Sequence, residues 1–177
     1  MENDRLNLFL SAAQIDALNK TLADQITRDY TELRASPNNF LVVVTLKGAM
    51  FFAADLIRKI PLAMKIDFVK VSSYGSATQS SGTVTMVKDL ESAVEGQHVL
   101  VLDEIVDSGR TIAFLLARLA ERAPKSIRVA TLLSKPSRRE LDVHIDYCGL
   151  EVEDRFFVGY GLDFDEKYRQ LESIYSI

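Results

Sequence analysis

The sequence predicts an α/β fold, an open and mainly parallel twisted sheet flanked by helices. Three observations predict it. Residues 40–46 (Phe-Leu-Val-Val-Val-Thr-Leu) and 99–102 (Val-Leu-Val-Leu) run apolar without alternation, as strands covered on both faces do. Stretches of helical spacing lie between such runs. The composition is that of an ordinary globular chain, 47% hydrophobic and 26% charged over 177 residues, which sets one domain as the default.

The elements follow in order. Residues 11–33 read as an amphipathic helix: Ser11 and Gln14 have capping-box spacing, and Ile15, Leu18, Leu22, Ile26, Tyr30 and Leu33 recur on one face. Pro37-Asn38-Asn39 breaks it ahead of the 40–46 strand. After Lys47-Gly48, residues 49–60 look helical until Pro61. Leu62, Met64, Ile66 and Phe68 alternate with charged or small residues and predict a strand to about Val71. Residues 72–82 hold five serines and two glycines with no aliphatic side chain larger than alanine, so a long mobile loop is expected. Residues 83–87 alternate again, Gly96 turns the chain into the 99–102 strand, and 111–122 is helical ahead of Pro124. A strand at 126–133 ends at Ser134-Lys135-Pro136, and a short strand at 156–160 precedes a charged turn at 163–169.

Charge and cysteine content exclude whole classes of function. Acidic residues outnumber basic ones by 25 to 21, for a net charge of −4, and nucleic-acid binders carry a basic excess. The single cysteine, Cys148, has no partner for a disulfide and reads as a small buried residue. The amino terminus lacks the basic start and apolar core of a secretory signal. No apolar stretch approaches the ~20 residues that cross a bilayer. The expectation is a cytoplasmic protein with neither nucleic acid nor membrane as partner.

In sheets of this kind ligands sit at the carboxyl ends of the strands, and three segments fall there: Lys47-Gly48, residues 103–111, and Lys135. The most informative is Asp103-Glu104-Ile105-Val106-Asp107-Ser108-Gly109-Arg110-Thr111. Two carboxylates leave the end of a buried strand, a third follows, and Ser-Gly-x-Thr opens a helix. A helix amino terminus offers unpaired N–H groups to an anion, Gly109 permits close backbone approach, and the Ser108 and Thr111 hydroxyls add donors. Three acids beside an anion cradle need an offset. A polyhydroxylated sugar and a divalent cation supply one, which points to a phosphorylated sugar with a metal. Neither a Walker-type loop nor a dinucleotide fingerprint occurs.

This long motif resembles the phosphoribosyl-pyrophosphate signature of type I phosphoribosyltransferases. Thr45-Leu46-Lys47-Gly48-Ala49, Val71-Ser72-Ser73-Tyr74-Gly75, Leu132-Leu133-Ser134-Lys135-Pro136 and the stretch from Asp154 to Asp163 are similar to the hypoxanthine-guanine branch. The resemblance runs from about Phe40 to the end. It implies one domain over 1–177, with a core at about 40–135 and a small hood from about 136–177. It also implies transfer of ribose 5-phosphate from phosphoribosyl pyrophosphate to a 6-oxopurine, in a Mg²⁺-dependent homo-oligomer, dimer or tetramer. Asp107 matches the general base. Asp103, Glu104, Asp107, Ser108, Gly109, Arg110 and Thr111 match the phosphoribosyl site. Lys47, Gly48, Ser73, Tyr74 and Arg169 match the pyrophosphate site, with a non-proline cis peptide entering Lys47 and a flap headed by Ser73-Tyr74. Lys135, Phe156, Phe157 and Asp163 match the purine site. Asp163, Asp103 and Glu104 match the metal positions.

The chain departs from the family pattern in having Asp-Glu where Glu-Asp or Asp-Asp is usual, and Phe157 where valine is frequent. His98 and His144 have no ligand spacing, and Arg138-Arg139 reads as a solvated face or a subunit contact. Two other readings stand beside the first: a relative preferring xanthine or another base, and an RNA-binding, nucleotide-sensing regulator on the same fold.

Overall fold

A computed structural model describes residues 6–76 and 79–177. In chain order the elements are β1 (Asn7–Leu10), α1 (Ala12–Glu32), β2 (Phe40–Thr45), α2 (Ala49–Ile57), β3 (Lys65–Ser76), β4 (Gln79–Lys88) and β5 (His98–Val106). There follow α3 (Arg110–Ala120), β6 (Ser126–Ser134), a 3-10 turn (Pro136–Arg138), β7 (Tyr147–Glu151), β8 (Phe157–Val158) and β9 (Ile174–Ser176). Among the described residues the strands form a six-stranded sheet, β4-β3-β2-β5-β6-β7, and a three-stranded sheet, β1-β9-β8. The large sheet is parallel from β3 to β7, with β4 antiparallel at the edge.

The unbroken apolar runs are explained by two cores. Along β2, Phe40, Val42 and Val44 pack with Ile26, Tyr30, Phe52 and Leu56 of α1 and α2. Leu41 and Val43 point the other way, toward Ile112, Leu115 and Leu119 of α3. Each strand side chain is therefore dry, and period-two alternation vanishes. At the start of α1 the Ser11 hydroxyl accepts from the Gln14 N–H while Gln14 accepts from the Ser11 N–H, as the capping box requires.

Several boundaries differ from expectation. The helix after Gly48 ends at Ile57, and Lys59 and Ile60 complete separate turns before Pro61. The helix expected from Thr111 begins at Arg110 and ends at Ala120. The strand expected from Leu62 begins at Lys65, where pairing with β2 starts. The serine-rich stretch, expected as a long loop, is paired strand where it is described. Its backbone forms an antiparallel pair, with Tyr74 opposite Thr83 and Ser76 opposite Gln79, interrupted by register shifts. Backbone pairing needs no apolar side chain, so composition concealed it. Residues 77–78 and the expected flap side chains of Ser73 and Tyr74 fall outside the described residues. Cys148 is exposed, because β7 is an edge strand with one uncovered face.

Candidate active site

The chain turns from β2 through α2 to β3 on one side, and from β5 through α3 to β6 on the other. The reversal opens a crevice at the carboxyl ends of β2 and β5, where ligands of such sheets bind. Lys47 and Gly48 leave β2, Asp107 to Thr111 leave β5, and Lys135 leaves β6. The carboxyl-end segments singled out in the sequence thus meet at one edge.

The acidic pair is not past the end of its strand, as expected, but within it. Asp103 lies opposite Thr131, and pairing continues through Ile105 and Val106. Backbone bonds to β6 carry the strand past the apolar run that ends at Leu102. Asp103 is buried and accepts from the Thr45 hydroxyl at 2.5 Å. Burial pushes the Asp103 carboxyl up, against the opposing effect of its Thr45 and Glu104 hydrogen bonds. Burial and the Asp103 charge push Glu104 well above the usual carboxylate range, and Arg169 only partly counters them. A Cβ on Gly48 would stand 1.9 Å from Glu104 Oε1 and 2.9 Å from the Gly161 carbonyl oxygen. Gly161 has φ +100°, and its own Cβ would stand 2.1 Å from the Gly48 oxygen. Both glycines are needed for this close approach. The Leu46-Lys47 peptide is cis, as the family resemblance implies.

Beyond β5, Gly109 caps α3 with φ 84°, and a Cβ there would stand 2.5 Å from the Leu141 carbonyl oxygen. The carbonyls of this turn are held from outside. Ser108 O accepts from Glu140 N at 2.9 Å and Leu141 N at 3.1 Å. Arg139 Nη1 donates to Asp107 O at 2.8 Å, and its Nη2 donates to the Ser134 hydroxyl at 2.8 Å. Those two carbonyls are thereby occupied, and the amino terminus of α3 beside them is a place where an anion can bind. A cavity of about 90 Å³ lies there, lined by Asp103, Ile105, Asp107, Ser108, Gly109 and Thr111 among others. The Arg110 guanidinium pairs with Glu140 at 2.8 Å instead. Arg139 corrects the sequence expectation: it is half-buried and positions the loop. Nothing in its local pattern separates it from a solvated arginine.

At the other end of the site Lys135 is buried at 7% exposure, with Nζ 3.5 Å from Asp154 and 3.9 Å from Asp107. Arg138, also expected to be solvated, is exposed but lies 3.4 Å from Asp107 Oδ1 and 3.8 Å from Asp154. The Asp107 and Asp154 carboxylates therefore alternate with the Lys135 and Arg138 cations. Phe156 is half-exposed and meets Phe164 edge-on at 5.7 Å between ring centres. Sequence reasoning missed Phe164, an exposed aromatic inside a charged turn. The Phe157 ring is buried, 4.6 Å from Phe9, and Lys135 Nζ lies 5.6 Å from its centre. Its bulk is absorbed by the small sheet.

Opposite the cradle, Lys47 Nζ meets Glu166 at 2.5 Å. Arg169 pairs with Asp163 at 2.8 Å and Glu166 at 3.2 Å, and donates to Gly161 O at 2.8 Å. Asp163 also accepts from Glu166 N at 2.9 Å. Among the described residues no three His, Cys, Asp or Glu side chains gather into a metal cage. The donor set fits Mg²⁺ in another way. Mg²⁺ keeps waters and takes one or two carboxylates with substrate phosphates, and Asp163 and the under-neutralised pair Asp103 and Glu104 can provide them. A larger cleft of about 630 Å³ beside Tyr160 lies apart from this chemistry, and its Lys59 and Arg58 are paired with Asp16 and Asp55.

A crevice at the switch point, an anion cradle, and a buried acid beside a half-buried one define a site of the kind that handles a phosphorylated sugar. Residues 11–165 match the phosphoribosyl transferase domain family, and the chain belongs to it. It is a phosphoribosyltransferase. The hypoxanthine-guanine phosphoribosyltransferase of Mycobacterium tuberculosis is 45% identical over 97% of this chain and 85% of its own length. The Bacillus subtilis enzyme of that name is 42% identical over 98% of this chain and 94% of its own. The hypoxanthine phosphoribosyl transferase structure from Trypanosoma cruzi superposes with a TM-score of 0.92 at 32% identity, covering 100% of this chain and 94% of that one. Among the described residues no helix is long and apolar enough to cross a membrane.

Proposed function

We propose that this enzyme transfers the 5-phosphoribosyl group from phosphoribosyl pyrophosphate to hypoxanthine and guanine, giving IMP or GMP and pyrophosphate, in the cytoplasm and as a dimer or tetramer. The observation that carries this reading is the buried Lys135 ammonium 3.9 Å from the Asp107 carboxylate, beside the amino terminus of α3. An ammonium there donates to a 6-oxo group and disfavours a 6-amino base. A carboxylate beside it takes the proton that the purine ring loses as its nitrogen bonds to the ribose.

The other residues follow from the charge that develops. The bond from C1 of the ribose to pyrophosphate breaks ahead of the new bond, leaving positive charge on the sugar and negative charge on the departing group. Asp103 and Glu104 accept from the ribose hydroxyls and face that positive charge. The opening N–H groups of α3, with Ser108 and Thr111, hold the 5-phosphate. Lys47 and Arg169 hold the pyrophosphate, and Phe156 stacks on the purine. Asp163, with Asp103 and Glu104, would hold Mg²⁺, which would supply neutralisation of the pyrophosphate charge.

Turnover of hypoxanthine, guanine, xanthine and adenine tests the base assignment, and a preference for adenine would remove Lys135 from its role. Asp107→Ala is expected to lower kcat by about 10²–10⁴-fold, the usual worth of a general base, with phosphoribosyl pyrophosphate still bound. Near-normal turnover would dismiss Asp107 as the base.

A further inference from the structure

Glu166 belongs to none of the roles above, yet it occupies a telling position. Its Oε2 lies 2.5 Å from Lys47 Nζ and its Oε1 lies 3.2 Å from Arg169 Nη2. One carboxylate thus bridges the two cations assigned to pyrophosphate. The bridge is carried by a tight turn in which Asp165, Glu166 and Tyr168 have φ of 51°, 63° and 75°. Side-chain-bearing residues adopt that region reluctantly, and three within four positions mark a turn shaped to present its tip. The Phe164 and Lys167 backbones pair across it, and the Glu166 N–H is tied to Asp163. Lys47 and Glu166 remain more than half exposed, at 53% and 64% of their side chains. Exposed ion pairs are individually weak, so a ligand can displace this one. A diphosphate brings more charge to the same two cations than a single carboxylate does.

We infer that Glu166 is a built-in counter-anion of the pyrophosphate subsite, an affinity-setting residue that pyrophosphate and phosphoribosyl pyrophosphate must displace. The inference rests on the assignment of Lys47 and Arg169 to pyrophosphate. Its function is release. By competing for the cations, the tethered carboxylate weakens the hold on the product diphosphate and keeps Lys47 and Arg169 oriented between turnovers. Competition of this kind multiplies the intrinsic affinity by the fraction of molecules in which the cations are free. The reduction is therefore equal for pyrophosphate and phosphoribosyl pyrophosphate. It is absent for a nucleoside monophosphate, whose phosphate lies in the separate cradle at residues 108–111.

Calorimetric titration of the full chain with Mg²⁺-pyrophosphate and with IMP tests this, using wild type, Glu166→Gln, Lys47→Ala and the double variant. Glu166→Gln is expected to tighten pyrophosphate roughly three- to tenfold and to lower the KM for phosphoribosyl pyrophosphate by the same factor. IMP affinity should stay within about twofold, because the counter-anion does not enter its subsite. Lys47→Ala should weaken pyrophosphate, and in that background the gain from Glu166→Gln should shrink. Should Lys47→Ala weaken pyrophosphate while Glu166→Gln leaves it unchanged or weakens it, the counter-anion is refuted and the subsite stands. Should Lys47→Ala leave pyrophosphate affinity unaltered, the subsite assignment fails and the inference falls with it.

Discussion

Asp67 and Asp103 sit on β3 and β5, the two strands that flank β2, and both are buried. Their surroundings are opposite. Asp67 Oδ1 accepts from Phe68 N at 2.7 Å, and Oδ2 accepts from Glu91 N at 2.8 Å and Ser92 N at 2.7 Å. Burial raises its pKa, but the Ser92 and Phe68 backbone donors, the Ser92 side chain and the Glu91 backbone donor outweigh that and hold the carboxyl below its ordinary value. Asp103 accepts from the Thr45 hydroxyl and is hydrogen-bonded by Glu104, the second acid beside it, yet burial still pushes both acids upward. A carboxylate completed by its own chain is part of the scaffold. A pair left short of donors fits a site where a ligand's hydroxyls and cation complete the set.

The strongest way to break this comparison is to move the unsatisfied pair without touching its charge. Gly48→Ala places a methyl group 1.9 Å from Glu104 Oε1 and 2.9 Å from the Gly161 backbone, so Glu104 must shift. A displacement on the order of 1 Å at a reacting centre costs about 10²-fold, and that is the expected fall in kcat/KM. The circular dichroism spectrum should be unaltered. Retention of most activity would mean that the Glu104 position is immaterial.

Isosteric amides sharpen the contrast at intermediate size. Asp103→Asn is expected to lower kcat/KM about tenfold or more, as loss of a charge facing the transition state does, while leaving Tm unchanged or higher because like-charge repulsion is relieved. Asp67→Asn should do the reverse. Weakening charge-assisted bonds to three backbone donors costs about 2 kcal/mol, or roughly 4–8 °C in Tm for a chain of this length, with turnover of purine within twofold. If both variants lose stability alike, the division between scaffold and site acids is mistaken.

How much of this was legible beforehand depended on the range over which each feature is encoded. The 40–46 and 99–102 runs announce buried parallel strands because both faces of the sheet are covered, and the 103–111 motif announces the cradle because its parts are contiguous. β1 and β9 escaped notice: Asn7 pairs with Ser176, and neither short segment has a local pattern without the other. β7 escaped because an edge strand of five residues with an exposed Cys148 lacks the apolar run used to find its neighbours. Arg139 and Glu166 were invisible for a related reason. Their significance lies in what they reach across the fold, the Asp107 carbonyl and the Lys47 ammonium, and local pattern carries no such information.

The smallest expected effect is the most direct check on why Asp67 differs from the site acids. Its folded-state pKa is depressed, so its charged form contributes stability that is present above the unfolded value and lost as pH falls through the folded one. The stability gap between wild type and Asp67→Asn should therefore be full at pH 7 and narrow progressively below about pH 4, where the unfolded carboxyl begins to bind its proton. Urea unfolding of both proteins at pH 7, 5 and 3.5 measures the gap directly, because global charge effects of acid are shared and cancel in the difference. A gap that stays constant to pH 3.5 would show that the three N–H bonds hold a neutral group as well as a charged one. The contrast with Asp103 would then rest on geometry alone.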